Sequence, residues 1–285
     1  MFTKQNIRFP GGKAKALTLS YDDGITSDIR LVELFNRYNL KATFNLNGSG
    51  FNEDEEAGSK HSIGDKTTAI SLGKAKEIYK NHEVALHGFW HLKMSDETPA
   101  KCMQEVILDR QKLEKEFGGI IRGMAYAYGD YNDEVVEILK KAGIEYSRTC
   151  SSTKDFRIPD DWLRMTSTCH QAFDEMEGLA EKFVNEKPAD NEEAWIFYMW
   201  GHSYEYDRGF MDFARMENFA KTVSNKDDVW YATNIEICEY IKAVDRLVYN
   251  LDQDVVFNPT SYDLWFIKDG KSICIKSGET KYIWE

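Results

Sequence analysis

The chain has 285 residues, 42% of them hydrophobic, with a net charge of −12 and a pI near 5.1. That length and apolar content suffice for one large domain with a substantial core. The acidic balance argues against nucleic acid or an anionic membrane as partner, since both demand a basic face, and no apolar run is long enough to span a bilayer. The N-terminus lacks the apolar core of a signal peptide. The five cysteines (Cys102, Cys150, Cys169, Cys238 and Cys274) are odd in number, scattered and never in Cys-x-x-Cys spacing. They read as reduced thiols of a cytoplasmic protein. Nothing in the composition sets the oligomeric state.

The first element is a short strand, Ala16–Tyr21, in which Leu17, Leu19 and Tyr21 alternate with Thr18 and Ser20. It runs into Asp22-Asp23-Gly24. Two adjacent carboxylates at the end of a buried strand repel and need a counter-charge, for which a bound cation is the strongest solution; an ordinary Asp-Asp-Gly turn is the alternative. An amphipathic helix with Ile29, Val32, Leu34, Phe35 and Tyr38 inside follows, then a strand over Ala42–Leu46. Residues 47–66 are rich in Gly, Ser, Asp and Glu and predict a long loop beside Asp22-Asp23. A helix over 72–79 leads to the strand Val84–Leu86, which delivers His87. A longer helix, about 100–117, precedes a strand over 123–126 that ends in Tyr128-Gly129-Asp130. The helix 133–142 is stopped by Gly143, with a strand at Ile144–Tyr146.

Residues 151–193 parse less cleanly, as one strand and one helix near Leu179–Phe183. Trp195–Trp200 is an aromatic-rich run too short for a free helix; as a buried strand it delivers Gly201-His202. Helices at about 212–222 and 235–248 flank a strand over Val229–Ala232. Alternating strands and helices imply a parallel sheet, and this many units favour a closed or nearly closed α/β barrel. The tail, with short alternating runs and a turn at Asp269-Gly270, reads as a β appendage. The expected organisation is a barrel over residues 1–250 and a β-rich appendage over 251–285 packed on it.

In a parallel barrel, chemistry gathers at the C-terminal ends of the strands. Those ends carry Asp22-Asp23, His87, Tyr128 and His202. His87-Gly88-Phe89-Trp90-His91 is the sharpest signal: residues four apart share a face of a helical turn, so both imidazoles can reach one ion. Gly88 stands where a zinc-protease motif needs its glutamate, which excludes that class. Of the other histidines, His61 falls in the polar loop and His82 near a helix end, in solvated or capping roles.

The order Tyr21-Asp22-Asp23-Gly24, His87-x-x-x-His91, Tyr128-Gly129 and His202 resembles the polysaccharide deacetylase family, the NodB-like carbohydrate esterases of family 4 type, over roughly residues 16–248. The resemblance implies a distorted (β/α) barrel of about seven strands. It also implies one divalent metal, usually zinc and sometimes cobalt or nickel, held by Asp23, His87 and His91. In the roles it carries over, Asp22 is the general base, the backbone N–H of Tyr128 an oxyanion donor, and His202 the general acid. Trp90, Trp162, Arg164 and His170 are candidate substrate contacts. Where the family often has Arg-x-Pro-Tyr-Gly, this chain has Ala125-Tyr126-Ala127-Tyr128-Gly129, so the arginine that would hold the aspartate is missing there. Arg164 is the candidate substitute, and Asp161-Trp162 weakly resembles the family's Asp-Trp element.

The implied function is a metal-dependent hydrolase that removes an acetyl or other acyl group from an amino sugar or sugar ester, acting on carbon–nitrogen bonds other than peptide bonds. A carbohydrate or small acylated molecule is the expected partner. Two alternatives stand beside it. One is a hydrolase of a small non-sugar amide, imide or formamide on the same barrel. The other is a catalytically inactive carbohydrate-binding barrel, for which the missing arginine is the supporting feature.

Overall fold

A computed structural model of the chain describes residues 2–51 and 68–283; His61 and most of the expected polar loop lie outside them. After a two-residue strand, β1 (Ile7–Arg8), the barrel begins with β2 (Lys15–Asp22), followed by α1 (Asp28–Arg37), β3 (Ala42–Leu46), α2 (Leu72–Ile78), β4 (Glu83–Leu86) and α3 (Pro99–Phe117). It continues through β5 (Gly123–Ala125), α4 (Asp133–Lys141), β6 (Tyr146–Ser152), β7 (Met165–Ser167), β8 (Cys169–His170), α5 (Met176–Asn185) and β9 (Trp195–Gly201). Then come α6 (Tyr204–Asp207), α7 (Phe213–Val223), β10 (Val229–Tyr231) and α8 (Asn234–Val244).

The strands pair in parallel in the order β7-β6-β5-β4-β3-β2-β9-β8. Because β7 and β8 are two halves of the stretch Met165–His170, pairing of β7 with β6 and of β8 with β9 closes the ring. The barrel therefore has seven staves: β2, β3, β4, β5, β6, β7 with β8, and β9. Its distortion is visible at β2. One edge pairs with β9 throughout, whereas the other is shared by β10 along Lys15–Leu17 and β3 along Leu19–Asp22.

The period-two pattern decides which side chains reach the site. Leu17, Leu19 and Tyr21 of β2, Phe44 and Leu46 of β3, and Phe197 and Met199 of β9 point outward into the main core under the helices. Thr18, Ser20, Asp22, Thr43, Asn45, Tyr146, Arg148 and Tyr198 take the opposite parity and fill a polar interior. Thr18 Oγ1 donates to Asn234 Oδ1 at 2.8 Å, and Asn45 Nδ2 donates to Ser20 Oγ at 2.8 Å. At the floor Glu83 accepts from Thr43 and Tyr146 at 2.7 Å and from the Ile235 amide at 3.0 Å. The helices are conventionally begun: Thr98 caps α3, Asn132 caps α4, and Thr233 with Glu236 forms a capping box on α8.

Two sequence expectations shift. The strand expected at Ile144–Tyr146 starts only at Tyr146, because Ile144 still donates to Leu139 O at 3.0 Å in the turn that ends α4. The unparsed middle holds two strand pieces where one was expected, because each is only two or three residues long. The tail forms β11 (Val248–Tyr249), β12 (Val255–Phe257), β13 (Leu264–Lys268), β14 (Lys271–Ile275) and β15 (Thr280–Tyr282). Asp269 and Gly270 both have positive φ, as the two-residue hairpin between β13 and β14 demands. β13 also pairs with β1, and a second core joins Ile7, Phe9 and Tyr240 to Val256, Leu264 and Phe266.

Candidate active site

At the C-terminal end of the staves, Asp22, Asp23, His87, His91, His202, Tyr126, Tyr128, Cys150, Trp200 and Tyr204 wall a cavity of about 310 Å³. Asp22 completes the inward row of β2, and Asp23 leaves the strand at φ +83°, a left-handed turn that costs a non-glycine residue about 1 kcal/mol. His87 follows β4. Its Nδ1 lies 2.9 Å from Ala125 O, which places the proton on Nδ1 and frees Nε2 for the cavity. The segment to His91 is a loop rather than the helical turn expected from the spacing. Its geometry comes from Gly88 at φ +87° and His91 at φ +59°.

Two buried carboxylates one turn apart on α3 hold that loop. Asp109 accepts from the amides of Gly48 (2.7 Å), His87 (3.1 Å) and Gly88 (2.9 Å). Glu105 accepts from Trp90 and Leu92 at 3.0 Å. Burial raises the pKa of both, Asp109 the more. A Cβ on Gly88 would fall 2.5 Å from Glu105 Oε1, so both the close approach and the positive φ require glycine.

His91 Nε2 lies 3.2 Å from His87 Nε2 and 3.6 Å from Asp23 Oδ1, which is 3.7 Å from His87 Nε2. Donor atoms at tetrahedral zinc, 2.0–2.1 Å from the ion, lie about 3.3 Å apart. One carboxylate and two imidazoles at these separations therefore fit a divalent metal of the zinc type.

Asp22 sits beside this cluster. Its Oδ1 accepts from Asn45 Nδ2 at 2.8 Å, its Oδ2 pairs with Arg148, and His202 Nε2 stands 3.7 Å from Oδ2. Burial alone would raise its pKa, but Arg148 foremost, then His87, His202 and Asn45, hold it well below the usual carboxylate range. Arg148 is itself buried and lies over the Trp200 ring, 4.2 Å from its centre. His202 Nδ1 is 3.0 Å from Glu205 Oε1. Burial lowers the His202 pKa, and Glu205, Asp22 and Asp23 more than reverse that, so it is raised. Glu205, despite burial, is pulled to about 2 by His170, His202 and Gln171. Cys150 also lines the cavity, but burial pushes its thiol up, against a thiolate nucleophile.

Asp22, Asp23, His87, His91, Tyr128 and His202 thus meet in one cavity. The proposed substrate contacts do not join them. Trp162 is buried in the second core. Arg164 pairs with Asp133 and Asp161 at 2.6 Å on the surface, so it cannot be the aspartate's arginine. Asp161 likewise accepts from the Leu163 amide at 3.0 Å and pairs with Arg164. Trp90 stands outside the cavity under Lys101, 3.6 Å from its ring centre, and His170 lies behind Glu205. His82 is half-buried, and its Nδ1 accepts the Ala42 amide at 3.2 Å. Sequence reasoning missed Arg148, Glu205, Asn45, Glu105 and Asp109. Glu205 had a signal, a carboxylate three residues after His202 at a helix start, as did the i, i+4 pair on α3.

A closed α/β barrel with ionisable groups gathered at the C-terminal strand ends is the architecture of barrel enzymes. Residues 10–147, just under half of the chain, match the family model described as polysaccharide deacetylase, in agreement with the resemblance read from the motifs over that segment. The matched segment holds Asp22, Asp23, His87, His91 and Tyr128; Arg148, His202 and Glu205 lie beyond it. No curated protein matches the sequence. Among solved structures, a Mycobacterium smegmatis protein provisionally described as a polysaccharide deacetylase is 15% identical, with TM-score 0.56 over 84% of this chain and 94% of that one. A family 4 carbohydrate esterase from Streptomyces lividans, solved with acetate, is 14% identical over 73% and 87% of the two chains (TM-score 0.47). A family 4 pseudoenzyme from Bacillus anthracis is 14% identical over 78% and 65% (TM-score 0.45). At such identities the likeness is one of fold alone.

Proposed function

We propose that the protein is a metal-dependent deacylase that removes an acetyl or related acyl group from an amino sugar or sugar ester. The observation that carries this reading is the convergence, in one cavity, of the Asp23–His87–His91 donor set with Asp22 on one side and His202 on the other. Asp23, His87 and His91 would hold one divalent cation, most naturally zinc. Bound there, the cation would polarise the acyl carbonyl and acidify a water.

The chain's own groups do the rest. Asp22, kept ionised and aimed by Arg148 and Asn45, takes the proton of the attacking water. His202, with Nδ1 on Glu205, presents Nε2 to the cavity and protonates the departing nitrogen or oxygen. The Tyr128 backbone N–H, at the wall beside His91, is the proposed oxyanion donor. Tyr128 and Tyr204 offer flat faces for a sugar ring. The chain is read as a barrel over 1–250 with the 251–285 appendage packed on it. Its five unpaired cysteines suit a reducing compartment.

A small non-sugar amide, imide or formamide is the second reading; a cavity of about 310 Å³, at the small end for ligand sites, gives it weight. The inactive-barrel reading loses its one support, since Arg148 supplies the aspartate's arginine. The test is acyl release from N-acetylated amino sugars, O-acetylated sugars and small amides, with zinc present and after chelation. Chelator-sensitive release on one class is expected. Absence of release across the panel with one metal bound per chain refutes the reading.

A further inference from the structure

We infer that His170 is a positioning residue of this centre: with Gln171 it grips the Glu205 carboxylate so that His202 keeps its proton on Nδ1 and its Nε2 toward Asp22. The inference deepens the proposed function and rests on it for its kinetic consequences alone.

The hydrogen bonds fix the direction of each donor. His170 ends β8, and its Nδ1 accepts the Ala172 amide at 3.1 Å. A neutral imidazole whose Nδ1 accepts must carry its proton on Nε2. That Nε2 lies 3.3 Å from Glu205 Oε1, the same oxygen that stands 3.0 Å from His202 Nδ1. The second oxygen, Oε2, accepts from Gln171 Nε2 at 2.8 Å. Gln171 is itself held, its Oε1 accepting from Tyr21 at 2.8 Å and Tyr206 at 2.5 Å. The last residue of one barrel stave and the residue after it thus fix both oxygens of a carboxylate that comes from α6. The His170 ring cannot swing away freely, because Trp200 meets it edge-on with ring centres 4.5 Å apart.

Two imidazoles and a carboxylate this close could instead ligate a second cation. The Ala172 amide argues against that. A cation on Nε2 would move the ring proton to Nδ1, where it would face the amide N–H and break that bond. The arrangement is built for donation to Glu205. Without His170, Glu205 keeps only Gln171 and His202, and its free rotation about the side chain lets the imidazole lose its alignment on Asp22. Outer partners of this kind commonly govern orientation as strongly as direct contacts do.

The experiment compares the full-length wild type with His170→Phe, which keeps a ring against Trp200 but removes the donor, and His170→Gln, which returns an N–H at similar reach. His170→Asn, whose amide is too short to reach Glu205, serves if the Phe variant does not fold. In protein labelled with ¹⁵N-histidine, the His202 Nδ1 proton, identified by its absence from His202→Ala, gives a downfield resonance protected from exchange. It is expected in the wild type and His170→Gln and broadened or lost in His170→Phe. On an N-acetylated substrate His170→Phe lowers kcat by on the order of tenfold, with KM and metal content unchanged, toward the low end of general-acid losses. In a Glu205→Gln background the same substitution costs no more than about twofold, because the effect travels through Glu205. An unchanged resonance in His170→Phe, or additive losses in the double variant, overturns the inference. If the resonance behaves as expected while the wild type hydrolyses nothing, the positioning role stands and the proposed reaction fails.

Discussion

Replacing Arg148 by methionine isolates the interaction on which the proposed base depends. Arg148 and Asp22 are 1% and 2% exposed at their side chains, so the pair is sealed from water. Methionine fills much of the volume and can still lie on Trp200, but it leaves Asp22 buried with Asn45 Nδ2 as its one remaining close donor. Removing one partner of a buried pair costs about 3–5 kcal/mol, since the survivor is an uncompensated charge. Against a total stability of about 5–15 kcal/mol that is a large fraction, easily resolved in an unfolding curve. Asp22→Asn alone strands the guanidinium and costs a similar amount. Asp22→Asn with Arg148→Met removes both charges and should lie within about 2 kcal/mol of the parent, well short of the sum of the singles. Urea unfolding in the presence of chelator measures this, so that metal binding to the folded state adds nothing. Arg148→Met within about 1 kcal/mol of the parent, or additive losses in the double variant, would refute the reasoning.

Three further outcomes follow from the same geometry. His87→Ala with His91→Ala should reduce bound metal from one equivalent to near zero by elemental analysis, because a single carboxylate is a weak ligand set; retention of metal puts the site elsewhere. His202→Ala should slow N-acetyl hydrolysis by about 10²–10³ but an activated aryl acetate far less, since a good leaving group departs unprotonated; equal losses mean that His202 serves the fold or the metal. Burial raises the Glu83 pKa to about 7 from 4.5, outweighing its hydrogen bonds to Ile235, Tyr146 and Thr43. The folded protein therefore holds that proton more tightly, and the stabilisation is complete below pH about 4.5 and lost as pH rises through about 7. Glu83→Gln should flatten that slope, worth about 2 kcal/mol between pH 5 and 7, in urea unfolding at those two pH values; an unchanged slope assigns the proton to another group.

The barrel was legible because its outer face is apolar at period two and its helices at period 3.6: β3 is the expected strand residue for residue, and α1 through α4 lie within a residue or two of expectation. Asp22, Asp23, His87, His91, Tyr128 and His202 were legible because each follows such a strand. β6 was not. Its residues Ser147, Arg148, Thr149, Cys150, Ser151 and Ser152 carry no apolar alternation, since one face turns into a polar barrel interior. The apolar Ile144 before it belongs to a helix turn and drew the boundary too early. Glu205 carried a local signal, its place three residues after His202 at a helix start, but that spacing does not encode its contacts with His170 and Gln171 at the end of β8.

The resemblance implies an arginine at Ala125, and the structure brings one to Asp22 from the adjacent strand. Strands β5 and β6 pair in register, with Gly123 opposite Tyr146 and Ala125 opposite Arg148. The inward positions of β5 carry almost no side chain, and those of β6 carry two of the largest buried ones. A Cβ on Gly123 would lie 2.2 Å from the Tyr146 hydroxyl, so the emptiness of β5 is a condition for the bulk of β6. Ala125 keeps a task of its own, its carbonyl orienting His87 at 2.9 Å, which any residue at that position could perform through the backbone. The guanidinium thus enters the barrel one stave over and at the same height, and reaches the carboxylate that the family pattern leads one to expect. What the Asp22 site requires is a buried cation at that level of the barrel, and strand register permits either neighbour to supply it. Read along the chain, position 125 has no arginine; read across the sheet, Arg148 stands opposite it and meets Asp22.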